Sequence, residues 1–487
     1  MSELTGGRGD EEQPETSAAE PVACGELAGL FGSLAGYDKV FLAVSGGADS
    51  LAMMHLVADW LSSRAASGGD CPDVTVLTVD HGLRREARDE AVFTRKAAEA
   101  LGLAGEILTA DEPAPAAGVQ EWARTVRYWL LLRRADEAEG ACALVTAHHR
   151  DDLAETVLMR LARGSGVDGL AAIETVSYRG AVALVRPLLD IPKSRLVRTL
   201  EVRGVAWLED PSNEQVVFER VRLRRARGAR AALGLEDGAL AQTARRAARA
   251  REALEAATDA LLADVVRDPR LTSAGVFPWQ WSAGSLPDEL AIRVLMRVLP
   301  VVGGSDAPPR LARVERLLAE MGSEGFGGAT LARCVIAPVR GMGPATGAGP
   351  YFLIYREPDR EALPDVQTDL REPETWDNRF LIERFGGGEE TVRLRSATRD
   401  DLAAAGFMDL RGRGLVQSLP PEALRATPVV ETANGQVSLL ALGEMTELQE
   451  DAADRAARGA GYRSAFLAAR LIRDHRRGHR NQFLADQ

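Results

Sequence analysis

Four cysteines in 487 residues, none of them in a CxxC pair, supply neither a disulfide framework nor the ligands of a zinc or iron-sulfur site. Cys24, Cys71, Cys142 and Cys334 are expected to be buried small apolar residues in a reducing cytosol. No run of about 18 apolar residues occurs, which excludes a membrane-spanning helix by length. The opening MSELTGGRGDEEQPETSAAE lacks the basic start and apolar core of a signal peptide. The chain is therefore expected to be soluble and cytoplasmic, with no membrane partner, and its acidic residues 1–25 to form a disordered tail. Composition does not distinguish a monomer from a homodimer. The last absence is a lysine, missing where a phosphate-binding loop would ordinarily carry one.

The stretch in question is Ala43 to Met54, AVSGGADSLAMM. Before it, Lys39 to Val44 is a short apolar run with β-formers, which predicts a buried strand. After it, Leu51, Met54, His55, Val57, Ala58 and Leu61 recur at helical spacing, with Asp49 or Ser50 expected at the N-cap. A strand, a glycine-bearing turn and a helix start make an anion site, because unpaired backbone N–H groups and the helix dipole face the turn. A Walker loop would add a lysine. Here Asp49 stands in that neighbourhood, and a carboxylate beside phosphates is repulsive unless a cation lies between them, so Mg²⁺ bridging Asp49 to a polyphosphate is expected. The pattern SGGxDS resembles the loop of the N-type ATP pyrophosphatases, which cleave ATP between its α- and β-phosphates. That resemblance implies pyrophosphate contacts for Ser45, Gly46, Gly47, Ala48, Asp49 and Ser50.

Two further polar clusters follow predicted strands. Val74 to Val79 runs into Asp80-His81-Gly82-Leu83-Arg84, with a helix from about Glu86 to Leu101, and Ala141 to Thr146 runs into Ala147-His148-His149-Arg150-Asp151-Asp152, with a helix to about Arg163. Strands alternating with helices give an α/β fold with a parallel sheet, and ligands of such sheets sit beyond the carboxyl ends of the strands. The three clusters are expected to converge there. Asp151 and Asp152 are a second pair of carboxylates, one of them a natural second Mg²⁺ ligand and one an N-cap. Adjacent histidines at a strand end point to opposite faces, so a phosphate or carboxylate partner for one of them is expected rather than zinc. Glu155 is read as an anchor of the helix start. Arg163-Gly164-Ser165-Gly166 is a flexible, donor-rich loop, with Gly164 and Ser165 expected near a ligand. Val119 to Tyr128 predicts an amphipathic helix with Arg124 and Arg127 on one face.

SGGADS, VDHGLR, ARTVRY, TAHHRDDLAETVLMRLARGSGVDGL, RPLLDIPKSRL and WLEDPSN…FERVRLRR occur in the order and spacing of the tRNA(Ile)-lysidine synthetases, which the chain resembles over about residues 38–227. Other synthetases share the loop but not the HHxDDxxET segment, and cytidine-thiolating relatives rely on CxxC pairs that are missing here. The resemblance implies ATP as cosubstrate and a CAU-anticodon isoleucine tRNA and free L-lysine as partners. ATP would adenylate O2 of the wobble cytidine, and the lysine amine would displace AMP at C2. It implies Mg²⁺ at Asp49 and Asp152, nucleotide contacts for Asp80, His81 and His148, and action of Arg124, Arg127 and one of Arg222 and Arg224 on the intermediate or the RNA phosphate. Leu153 departs from the glutamine common at its position, a change expected to affect packing rather than catalysis. Asp210-Pro211-Ser212-Asn213 reads as a turn.

The net charge of −12 argues against a nucleic-acid partner, but its distribution argues for one. Ten arginines stand between Arg220 and Arg251 against only Glu236 and Asp237, and Arg463, Arg470, Arg473, Arg476, Arg477 and Arg480 cluster near the end. Together these are expected to form an RNA footprint. A PP-loop catalytic domain is thus expected at 26–227, a helical tRNA-binding domain at 228–327 from its Ala/Leu/Arg periodicity, and a small β or α+β tRNA-binding domain at 328–487 from CVIAPVR, PYFLIYREP, RFLIERF and TVRLRS.

Overall fold

The computed structural model describes residues 19–82, 86–110, 113–115, 117–209, 219–263, 265–268, 271, 274–339, 350–385, 391–407 and 419–441, and the backbone of 461–466. Its contacts divide into two compact units, with the boundary inside one long helix at Arg251 and Glu252. The Asp210–Asn213 turn and the side chains of the terminal arginine cluster lie outside the described residues.

In the first unit, α1 (Leu27–Phe31) precedes β1 (Lys39–Ala43) and α2 (Ala48–Ala66). Then come β2 (Asp73–Asp80), α3 (Glu86–Ala100), β3 (Ala104–Thr109), α4 (Val119–Asp136), β4 (Cys142–Val145), α5 (Arg150–Ala162) and α6 (Val167–Leu170). The unit continues through β5 (Val176–Arg179), β6 (Val182–Val185), α7 (Lys193–Val202), α8 (Glu219–Arg225) and α9 (Arg227–Ala232) into α10 (Asp237–Leu262). The six strands form one sheet in the order β3-β2-β1-β4-β6-β5. Pairing is parallel throughout except between β5 and β6. The centre of the sheet is apolar on both faces, as a helix-covered parallel sheet requires. Val40, Leu42, Val76, Ala143 and Val185 pack on α2 and α7, and Phe41, Leu77, Leu144 and Leu184 pack on α4. Leu153 is buried on α5 and meets Leu240, Ala241 and Ala244 of α10, so it does serve packing.

The first described residues are packed chain. Val22 is buried and its N–H donates to Thr199 Oγ1 at 3.0 Å, while Arg195 donates to the carbonyls of Glu20 and Pro21 and pairs with Glu26. The tail expected to reach residue 25 therefore gives way to structure before Val22, because α7 offers an apolar seat and a donor.

The second unit combines strands with helices. β7 (Phe277–Gln280), β10 (Tyr351–Arg356), β9 (Cys334–Val339) and β8 (Ala329–Leu331) form an antiparallel sheet in that order. Helices α11 (Asp288–Gly303) and α12 (Leu311–Met321) bury Val294, Leu295, Val298, Leu299, Val314 and Leu317 in the same core as Phe352 and Ile354. Two further small antiparallel sheets follow, so strands beyond residue 328 are present as expected. The helices at 288–321 and the strands after 328 share one core. A division of this region at 327/328 remains a proposal from sequence texture alone.

One ion pair in this unit yields a test. Asp401 accepts hydrogen bonds from Thr398 N at 2.7 Å, Thr398 Oγ1 at 2.6 Å and Arg395 Nη1 at 2.7 Å. Arg395 holds its carboxyl down at about 2. Asp401→Ala is expected to destabilise the unit by about 1–2 kcal/mol, the worth of a helix cap with a charged partner. A depressed carboxylate contributes above its ordinary pKa of 3.8 and loses that contribution as pH falls toward 2. The gap between wild type and variant in thermal unfolding should therefore be full at pH 7 and shrink below pH 4.

Candidate active site

Five segments meet at the carboxyl edge of the first unit's sheet. β1 runs into Ser45-Gly46-Gly47, and α2 begins at Ala48 with Gly47 as N-cap. Asp49 and Ser50 thus lie inside the first turn rather than at the cap. The reason is local: Ser50 Oγ accepts from Ser45 N at 3.1 Å and donates to Gly47 O at 3.0 Å, which ties the turn to the helix from within. Gly46 has φ +83°, and a Cβ there would meet Leu208 Cδ1 at 2.6 Å. Leu208 N also donates to Gly46 O at 2.9 Å. The turn is therefore fixed from outside by a residue that sequence reading passed over. Gly46→Ala should cost about 1–2 kcal/mol in stability, from an L-residue at positive φ and a displaced leucine. A matching fall in ATP affinity of roughly tenfold, read by calorimetric titration, is expected.

Asp49 carries the first charge of the site. Its Oδ2 is 3.0 Å from Lys193 Nζ and 3.5 Å from His149 Nε2, and its Oδ1 is buried without a hydrogen-bond partner. Burial opposes ionisation, but His149 and Lys193 outweigh it and hold the carboxyl below its ordinary range. His149 Nε2 also lies 3.4 Å from Asp152 Oδ2, so the two carboxylates face each other across one imidazole nitrogen. Burial works against charge on His149, yet the hydrogen bond to Asp49 and the fields of Asp152, Asp49 and Asp151 win and raise its pKa.

Asp152 does two jobs. Its Oδ2 accepts from His149 N at 3.1 Å, closing the start of α5, and its Oδ1 meets Arg224 Nη2 at 3.4 Å. Asp151 points elsewhere, to Lys193 N at 3.3 Å and Arg227 Nη1 at 3.1 Å, and so serves as a brace. Arg224 Nε donates to Glu155 Oε1 at 2.6 Å. Glu155 is 2 % exposed. Burial raises its carboxyl above the usual range, and Arg224 only partly offsets this. Reading Glu155 as a helix anchor misses that its side chain joins Arg224 to the acidic cluster.

The second cluster sits beside β2. Asp80 Oδ1 accepts from Gly82 N at 3.0 Å, and His81 Nε2 accepts from Arg127 Nε at 3.3 Å. Burial and the Arg127 charge, opposed by Asp80, push His81 down to about 4, so it is neutral at physiological pH. Arg124, exposed, stacks over Tyr128 at 5.2 Å. His148 Nδ1 is 2.9 Å from Thr146 Oγ1, and burial pushes it down to about 4 although Asp152 pulls the other way. The two histidines do part to different partners.

Gly164 and Ser165 do not join these residues. They end α5, and its 13 residues put them about 20 Å along the axis from Asp152. Gly164, at φ +67°, and Ser165, whose N–H donates to Arg160 O, close the helix. Arg222 lies on α8 with Arg224, and Arg224 reaches Asp152 and Glu155 of the acidic cluster. Of the ten arginines at 220–251, Arg224, Arg227, Arg230, Arg245 and Arg251 are held by carboxylates of the same unit. Five of the ten arginines of this stretch thus brace carboxylates within the unit.

Lys193 is the lysine absent from the loop, supplied from α7 by a residue 144 positions away. A signal existed for it: a cation in the first turn of a helix opposes the dipole, so its position calls for another reason.

Comparison with known proteins agrees with this geometry. The family model described as PP-loop domain matches residues 23–228. A tRNA(Ile)-lysidine synthase of Bradyrhizobium sp. strain BTAi1 is 44 % identical over 304 residues, covering 61 % of this chain and 83 % of that protein. The corresponding enzyme of Bradyrhizobium diazoefficiens is 41 % identical over 305 residues, covering 62 % of this chain and 83 % of its own. That of Methylobacterium nodulans is 46 % identical over 280 residues, covering 57 % of this chain and 80 % of its own. With an SGGxDS turn facing paired carboxylates, and relatives matched over four-fifths or more of their length, the chain belongs to the tRNA(Ile)-lysidine synthase family.

Proposed function

We infer that the chain is an ATP-dependent ligase that makes lysidine: it joins free L-lysine to C2 of the wobble cytidine in the CAU-anticodon isoleucine tRNA, releasing AMP and pyrophosphate. The observation that carries the reading is the convergence of Asp49, Asp152, His149 and Lys193 beside the Ser45–Ser50 turn. An ATP-cleaving site needs donors for a leaving pyrophosphate and carboxylates for a divalent ion, and both stand there. A thiolation chemistry finds no support, since the sequence has no CxxC pair.

The residues fit Mg²⁺. Asp49 Oδ1 is buried with no partner, and Asp152 faces it, while Mg²⁺ takes one or two carboxylates and completes its shell with substrate phosphates and water. Bound there through Asp49 and Asp152, it would neutralise the triphosphate as the α,β-bond breaks. The chain's own donors do the rest. Backbone N–H groups at the start of α2, with the Ser45 hydroxyl and Lys193, hold the departing pyrophosphate. O2 of the cytidine attacks the α-phosphorus and the bond to the β-phosphate oxygen breaks. Arg127, which donates to neutral His81, would meet charge on the adenylated intermediate.

In the second step the lysine ε-amine must be neutral. Glu155 is the group fitted to accept its proton, because burial makes its carboxylate more basic than usual. The amine then attacks C2, and the C2–O bond breaks to release AMP. A cytoplasmic location follows from this substrate. No described helix is long and apolar enough to cross a membrane.

Incubation of the chain with ATP, labelled lysine and the isoleucine tRNA tests the reading. Label entering RNA with production of AMP supports it. Production of ADP, or no incorporation, would count against it.

A further inference from the structure

Arg186 is a buried arginine that neither step of the proposed reaction uses. It follows β6 directly, and Thr146 N donates to Val185 O at 3.0 Å, so it lies beside the end of β4 at the active edge of the sheet. Its backbone N–H donates to Thr175 O, and its Nη1 to Glu174 O at 2.8 Å and Ser177 Oγ at 3.1 Å. These partners fix the guanidinium without neutralising it. The side chain is 9 % exposed, its Nε is buried with no partner, and among the described residues no carboxylate lies within ion-pair distance. The Glu174 carboxylate is taken by Arg251 at 2.7 Å.

Arg186 is not alone. Arg124 and Arg179 are close enough to oppose its charge, and Arg124 and Arg220 act with it on His148. Arg124, Arg179 and Arg220 also lack an ion-pair partner among the described residues. The acidic side of the same edge is already balanced, by Lys193 and His149 at Asp49, Arg227 at Asp151 and Arg224 at Glu155. A surplus of positive charge therefore stands on the β6 side. An unpaired buried guanidinium is costly, and a bound anion removes the cost.

We propose that Arg186, with Arg124 and Arg220, is a binding site for a backbone phosphate of the tRNA, next to the nucleotide being modified. This rests on the functional reading above. β6 is two strands from β1, which sets Arg186 about 10 Å across the sheet from the turn that holds the ATP phosphates. The site is thus separate from the pyrophosphate cradle. Four guanidinium groups exceed the charge of one amino-acid carboxylate, whereas an RNA strand brings several phosphates. A fixed guanidinium fork suits a phosphate and sets register without reading sequence.

The test measures tRNA affinity of the full chain across a salt series, with wild type, Arg186→Gln and Arg220→Gln. The lysine concentration for half-maximal incorporation is measured at saturating tRNA. Each variant should weaken tRNA binding about tenfold and lower the slope of log affinity against log salt by about 1. The lysine concentration should stay within about twofold, since the contact is to RNA. Unchanged affinity and slope in both variants would overturn the proposal, and so would an effect confined to lysine, which would make the anion a carboxylate. If Arg186→Gln does not fold, Arg220→Gln on the partly buried surface of α8 must show the slope change by itself. Failure of the wild type to incorporate lysine would instead fail the functional reading.

Discussion

Asp49→Asn is expected to abolish lysidine formation, by about 10³-fold or more, while leaving the fold intact. The substitution keeps size and hydrogen-bonding shape but removes the charge on which His149 and Lys193 converge. In the proposed reaction, a neutral side chain at this buried position would no longer help to hold a divalent ion beside a triphosphate. Folding should be little affected, because Lys193 is 43 % exposed and a partly exposed pair contributes about 0–1 kcal/mol. Steady-state AMP production and thermal unfolding, measured together, separate the two effects. A variant that unfolds tens of degrees early would mean that Asp49 is a structural residue.

Glu155→Gln has the second large expected effect, and it should divide the reaction. Adenylation needs no base at Glu155, so pyrophosphate exchange in the presence of tRNA should persist within a few-fold. Transfer of lysine should fall by about 10²–10³, the range of a lost general base. Raising the pH should recover part of the loss, because more lysine amine is then neutral in solution. Equal loss of both half-reactions would place Glu155 in ATP binding, or in positioning Arg224, rather than in proton transfer.

Much of this site could be read from the chain because its signals are local. The Ser45–Ser50 turn, the Asp80-His81 end of β2 and the His148–Asp152 start of α5 each follow an apolar run that had to be a strand. Parallel topology then forced them to one edge. Residues contributed by long-range packing carry no such signal. Leu208, Lys193 and Arg186 act through partners far away in the chain, so although RPLLDIPKSRL and WLEDPSN carry the family resemblance, no strand-turn-helix pattern around these residues shows which of them reach the site. Weak strands were hidden for a different reason. β3 is half-exposed along its length, and β5 and β6 are four residues each, so none shows a clear period. Charge texture misled in the arginine-rich stretch, where composition cannot distinguish a guanidinium facing solvent from one braced on a buried aspartate such as Asp237.

The central claim is that carboxylates at the rim of the sheet direct ATP cleavage to the α,β-bond and hand the activated cytidine to lysine. Its most direct test follows labelled lysine and labelled ATP together, in one reaction with the CAU-anticodon isoleucine tRNA. One lysine incorporated per AMP formed, with both products lost in Asp49→Asn, is the expected result. Lysine incorporation that survives Asp49→Asn, or ADP in place of AMP, would contradict it.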